Sequence, residues 1–286
     1  NTLDVAGSIQ DNGLAYGLVK SGAGALTLLN YNSFSGTVML TAGKLNINSD
    51  GAVGSGLFVI NSGVLDNTSG ATVTLTTPSG MQWSGSFTFA GSSDLEIGPL
   101  TLSLSSDPVS LTVASNTLST LGSLNGGNRT VNKYGAGAWT IGGSGGNTGV
   151  GINIYAGTVN LNKESGSLAV NANPITVATN AALVFLNATG AQLASGVPLT
   201  LNGGLIELNG DSETVSSLTF NSGTLRNSAA ATVSAFRPVN GVALAGTNCV
   251  FDVTNEAAIT LNAVIANTGG FAKTGAGLLT LTSNST

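Results

Sequence analysis

Lysine and paired glycines stand together three times in this chain, as Lys20-Ser21-Gly22-Ala23-Gly24, Lys133-Tyr134-Gly135-Ala136-Gly137 and Lys273-Thr274-Gly275-Ala276-Gly277. Glycine-rich loops beside a lysine can cradle phosphate, so nucleotide chemistry is the first reading to test. A phosphate loop needs its lysine after the glycines, followed by Ser or Thr and the start of a helix. Here the lysine comes first, and a strand-like triplet follows: Leu26-Thr27-Leu28, Trp139-Thr140-Ile141 and Leu279-Thr280-Leu281. The dinucleotide fingerprint fails as well, because Thr27, Thr140 and Thr280 occupy the place of its third glycine. Gly22, Gly24, Gly135, Gly137, Gly275 and Gly277 are therefore expected to be corners, where glycine permits a tight or positive-φ turn. Lys20 is expected to sit solvated at a rim, its charge discouraging stray edge pairing.

Carboxylates are the next candidates. Asp94 and Glu96 lie two residues apart, which on a strand puts both on one face, as a glycosidase pair or calcium ligands would require. Glu207, Asp211 and Glu213 form a second acidic patch. Neither has Lys or Arg close in sequence to stabilise a developing anion, so both are expected to be solvated carboxylates on the outer face. The chain has no histidine, which excludes Ser–His and Cys–His nucleophiles. Zinc would lack its usual His and paired Cys ligands. The single Cys249 reads as a small buried hydrophobe. Trp83, Trp139, Phe87 and Phe89 occupy apolar positions of alternating segments and are expected in the core. Four glycosylation sequons begin at Asn67, Asn128, Asn187 and Asn284, a number that a chain so rich in Asn, Ser and Thr produces by accident. Nothing points to a cofactor or metal, and no enzymatic activity is expected.

The elements that carry these residues are short. Charged residues make up 7% of the 286, glycine numbers 41 and hydrophobic residues reach 42%. That composition starves helix surfaces and suits β-structure with many tight turns. Eight Lys plus Arg without a basic cluster give almost no footprint for nucleic acid. No apolar run is long enough to span a bilayer as a helix. Alternating triplets recur throughout, and the repeats are longer than triplets. Ala42-Gly43-Lys44-Leu45-Asn46-Ile47 matches Ala156-Gly157-Thr158-Val159-Asn160-Leu161. Asn61 to Val73 matches Asn221 to Val233 at a constant offset of 160 residues. Units of about 20 to 25 residues built from short strands and Gly corners mean a β-solenoid, whose coils bury their apolar side chains only by stacking. The expected fold is all-β, one continuous solenoid domain over 1–286, with repeat-like units near 14–65, 128–161, 202–236 and 261–286.

Lys-x-Gly-Ala-Gly-x-Leu-Thr-Leu, then Asn30 to Thr37, then Ala42-Gly43-Lys44-Leu45, resembles the autotransporter-associated β-strand repeat of large bacterial surface proteins. Trp83 to Leu95 and Asn128 to Asn132 are similar to the linking portions of such arrays. The resemblance implies a right-handed parallel β-helix displayed outside the cell, in a family known for adhesion, aggregation and surface display. The function expected is a structural one: a secreted subunit of a bacterial surface filament, fibre or adhesive stalk. The alternative is a glycan- or cell-binding adhesin module without filaments, and behind it a polysaccharide-degrading β-helix enzyme. Only five residues follow Leu281, where the first copy of the unit runs on to Ala42-Gly43. The partner expected is therefore another copy, stacking head-to-tail and supplying the next coil, with glycans or other surface proteins as further partners.

Overall fold

A computed structural model describes residues 1–187, 189–266 and 269–283. Among them every regular element is a β-strand, and every strand pairing is parallel. The chain advances by 19 to 26 residues before it returns to pair with itself, as Ala25 does with Lys44 and Gly223 with Cys249. The molecule is thus a β-solenoid, as the spacing of the corners predicts. The expectation about a coil completed beyond Leu281 falls partly on residues 284–286, outside the described residues, as does the sequon at Asn284.

Each turn contributes to three faces in cyclic order. The first face begins with Leu18–Lys20, Val38–Leu40, Leu57–Ile60, Gly80–Trp83 and Leu102–Leu104. It passes through the Val170–Leu193 bridge and continues as Glu213–Val215, Val233–Pro238, Ala258–Leu261 and Leu278–Leu281. The second face carries Thr2–Val5, Ala25–Leu28, Lys44–Ile47, Val64–Asp66, Phe87–Phe89 and Val109–Val113. The third carries Val73–Leu75, Leu95–Ile97, Thr117–Thr120, Ala138–Gly143, Gly157–Lys163 and, further on, Cys249–Val253 and Phe271–Thr274.

Alternation explains what fills the interior. Side chains of a strand point in and out by turns, so Val109, Leu111 and Val113 face the axis while Ser110 and Thr112 face out. The same inward set repeats from turn to turn, giving a single apolar column. Burying each of these Val, Leu, Ile and Phe side chains contributes about 1.5–3 kcal/mol, and only stacking makes that burial available. Trp83 and Trp139 lie in this column at 0% exposure, their rings 5.9 Å apart across the core. Cys249 is also buried, its thiol donating to Phe220 O at 3.0 Å, and burial pushes its pKa up.

The sequence repeats do not map onto one face. Lys20 ends a first-face strand, Lys133 lies in a second-face strand and Lys273 in a third-face strand. The pair separated by 160 residues is displaced likewise: Val64–Asp66 is on the second face and Gly223–Asn227 on the third. Each recurrence thus comes one corner later than a whole number of turns. Three corners of nearly equal geometry accept the same local sequence, so the motif follows the corner and not the face.

Candidate functional site

The lysine–glycine corner is built from two consecutive turns. Gly135 adopts φ +78°, which turns the chain sharply between Lys133 and the strand Ala138–Gly143. Carbonyl oxygens of this corner point inward instead of N–H groups. The Lys133 side chain folds back over them, and its ammonium donates to Tyr134 O at 2.9 Å, Gly135 O at 2.9 Å and Gly137 O at 2.8 Å. A fourth carbonyl, Ala156 O at 3.1 Å, comes from the turn above. Lys20 is caged in the same way by Ser21 O, Gly22 O and, from the turn above, Ala42 O, all at 2.9–3.0 Å.

This explains why the second motif accompanies the first. Ala42 and Ala156 supply the carbonyl from above, and the next residue must be glycine. A Cβ on Gly43 would lie 2.2 Å from Gly22 O and 2.5 Å from the Lys20 ammonium. One on Gly157 would lie 2.4 Å from Gly135 O. The motif pair is therefore a fastener between successive turns.

One expectation about this corner is corrected. Lys20 is not solvated at a rim: it is 7% exposed, and Lys133 is 0% exposed. The corner's inward dipoles are all acceptors, so the cation that balances them has to lie inside. A corner that presents carbonyl oxygens also repels phosphate, which removes the nucleotide reading on geometric grounds. In the third copy, Lys273 is exposed and donates to Gly275 O at 2.6 Å. Burial pushes the Lys133 pKa down to about 8. The four carbonyls act the other way, because only the ammonium can donate to three acceptors at once, and it is the charged form that fits the cage.

A third fastener has no counterpart among the motifs. Lys163 is fully buried, and its ammonium reaches Gly122 O, Gly142 O and Gly145 O at 2.6–2.7 Å. Burial pushes its pKa down to about 8, with the Glu164 charge opposing. Here the lysine sits on the upper turn and reaches down, the reverse of Lys133. The glycine run at 142–146, one turn before Lys163, was the available signal.

The acidic candidates divide. Asp94 precedes the strand Leu95–Ile97 and accepts the Thr117 N–H at 2.7 Å, while Glu96 on that strand accepts the Thr74 hydroxyl at 2.7 Å. Each therefore bonds to a neighbouring turn. Glu207, Asp211 and Glu213 are not on the outer face, contrary to expectation: their exposures are 4%, 2% and 1%. They fall at inward-facing or corner positions, where backbone N–H groups need acceptors. Glu207 takes the Asn209 and Ser228 N–H groups at 3.0 Å each and an ion pair from Arg226. Asp66, unremarked in the sequence, is completely buried. It accepts the Lys44 ammonium at 2.7 Å, the Ser92 N–H at 2.8 Å and the Ser92 hydroxyl at 2.7 Å.

Buried amides do the same work without charge. Asn147 accepts the Leu124 N–H at 2.8 Å from below and donates to Ala169 O at 2.9 Å above. Asn32 joins Ile9 N–H to Ala52 O, at 2.7 and 2.6 Å. Gln192 accepts the Lys163 N–H at 2.7 Å and donates back to Lys163 O at 3.0 Å. Asn67 and Asn227, matched in the 160-residue repeat, clamp Asp94 O at 2.6 Å and Ala258 O at 2.9 Å respectively. Buried and bonded, Asn67 is closed to glycosylation as long as the turn is folded. On the outside, Asn132–Asn153 and Asn160–Thr140 bond across adjacent turns at 3.0 and 3.1 Å. Tyr134 and Tyr155 stack beside the lysine corner, 4.9 Å apart and partly exposed.

No family model, curated protein or solved structure matches this chain.

Proposed function

We propose that the chain is a structural rod, a β-solenoid element of a bacterial surface filament, fibre or adhesive stalk. The observation that carries this reading is where the chemically capable side chains point. Lys20, Lys133, Lys163, Asp66 and Glu207 each bond to backbone or side-chain groups of a neighbouring turn. Their chemistry goes into holding turns together, which suits a part that bears load and resists proteolysis. Extracellular placement rests on the resemblance to repeats of bacterial surface proteins. End-to-end stacking with a second copy extends the reading, because parallel ladders continue across any edge that offers the same register.

An adhesin module without filaments is the second reading, and the partly exposed Tyr134–Tyr155 stack favours it as a platform for sugar rings. Sedimentation over a concentration series, with negative-stain microscopy, separates the two. Rods that lengthen end to end support the filament. Single rods at every concentration, with glycan binding lost in Tyr155→Ala, support the adhesin. Polysaccharide cleavage that disappears in Asp94→Ala or Glu96→Ala overturns both.

A further inference from the structure

Two acids turn inward in succession on the first face: Asp211, just before the strand Glu213–Val215, and Glu213 at its start. Unlike Asp66, neither is paired with a cation among the described residues. The two carboxyl oxygens of Glu213 accept the N–H groups of Gln192 and Leu193 on the turn below. Asp211 Oδ1 accepts the Ser212 N–H at 2.8 Å. Asp211 Oδ2 is buried and meets no N–H or O–H donor among the described residues. On the turn above, Glu213 pairs with Phe236, and the Ser212 hydroxyl accepts the Ala235 N–H at 2.9 Å. That register sets Ser234 over Asp211, and the Ser234 hydroxyl is likewise buried without a partner.

Two carboxylates cannot both remain ionised side by side in an apolar column, since desolvation and mutual repulsion act in the same direction. A proton held between them removes one charge and gives Asp211 the donor it lacks. We propose that Asp211 and Glu213 share a single proton at neutral pH, and that this proton locks their turn between the turns above and below.

The surroundings leave the pair to itself. The turn below presents the neutral Gln192 and Leu193, and Gln192 in turn is bonded to the backbone of Lys163. The strand above presents Ser234 and Phe236, with Ala235 between them and Arg237 just beyond at outward positions. Glu207 and Arg226 on the third face pair with each other. Burial is the main cause that pushes Glu213 up to about 9, and the Asp211 charge adds to it. Burial likewise raises Asp211, to about 6, with the Ser212 N–H and the Glu213 hydrogen bond opposing.

In the unfolded chain both groups ionise in the ordinary carboxylate range, at about pH 4. The folded pair holds protons that the unfolded chain has released. Its contribution to stability is therefore complete below about pH 4 and is lost as pH rises towards 9. Linkage to one proton changes an opening equilibrium by up to about tenfold per pH unit. The lock is thus released by alkali and not by acid.

Hydrogen exchange of the Gln192, Leu193 and Ala235 amides between pH 6 and pH 9, corrected for base catalysis, tests this in the full chain. The expected result is an opening constant that climbs towards tenfold per pH unit in the wild type and is flat in Glu213→Gln, whose amide is permanently neutral. A flat wild-type profile, or the same slope in Glu213→Gln, overturns the proposal. Should the variant fail to fold, the infrared spectrum of the wild type decides. A protonated-carboxyl band at neutral pH that vanishes only as pH rises to about 9 supports the shared proton, and absence of that band refutes it.

Discussion

Asp66 and the Asp211–Glu213 pair are both buried acids between stacked turns, and they are held in opposite ways. At Asp66 burial pushes the carboxyl up, but the Lys44 ammonium and the Ser92 N–H and hydroxyl outweigh it, so the net shift is down. That carboxylate stays charged because a cation and its donors go into the interior with it. At Glu213 no cation is present among the described residues, burial dominates, and the proton stays on. A solenoid has only one interior, yet it accommodates ions of either kind wherever local partners settle the charge. Burial by itself decides nothing about protonation; the partner on the next turn does.

The sharpest way to break this contrast is to remove one partner at each site. Lys44→Met leaves Asp66 buried without its cation, and a loss of about 2 kcal/mol is expected in chemical denaturation, less than for a fully buried pair because Lys44 is 35% exposed. Asp211→Asn replaces the shared proton with a permanent amide donor and removes the pair's remaining charge, so at pH 8 it is expected to be neutral or stabilising in the same measurement. Equal losses at the two sites would erase the distinction.

The pH response should differ next in size. Asp66 has a lowered folded pKa, so its contribution is present above the ordinary value of 3.8 and lost as pH falls below it. Hydrogen exchange is therefore expected to loosen the turns around residues 64–92 first in acid. The turns around 190–238 are expected to loosen first in alkali. The smallest effect belongs to Glu96. It is partly exposed and bonded to one hydroxyl, and Glu96→Ala is expected to shift stability by no more than about 0.5 kcal/mol by thermal denaturation.

Much of the architecture was legible in the residues. Val109-Ser110-Leu111-Thr112-Val113 alternates as a half-buried strand must, and glycines such as Gly135 mark corners that only φ > 0 allows. The stacking of coils followed from units too small to bury their own apolar side chains. The face on which each repeat lies was not legible, because sequence similarity reports local conformation, and all three corners share it. Burial of Lys133 was hidden for a related reason. A lysine reads as solvated unless something supplies inward carbonyls, and these come partly from Ala156, about one turn further along the chain. The Asp211–Glu213 pair was visible as acids but not as buried ones. Their inward direction depends on the register with Phe236, which no local pattern reveals.

The claim that lysines fasten one turn to the next is tested most directly by Lys133→Met, which keeps the bulk and removes the ammonium. Hydrogen exchange is predicted to accelerate together at the Gly137 and Thr158 amides, which lie on the two turns that the ammonium joins. Acceleration at the Gly137 corner alone, or no change at either, would contradict it.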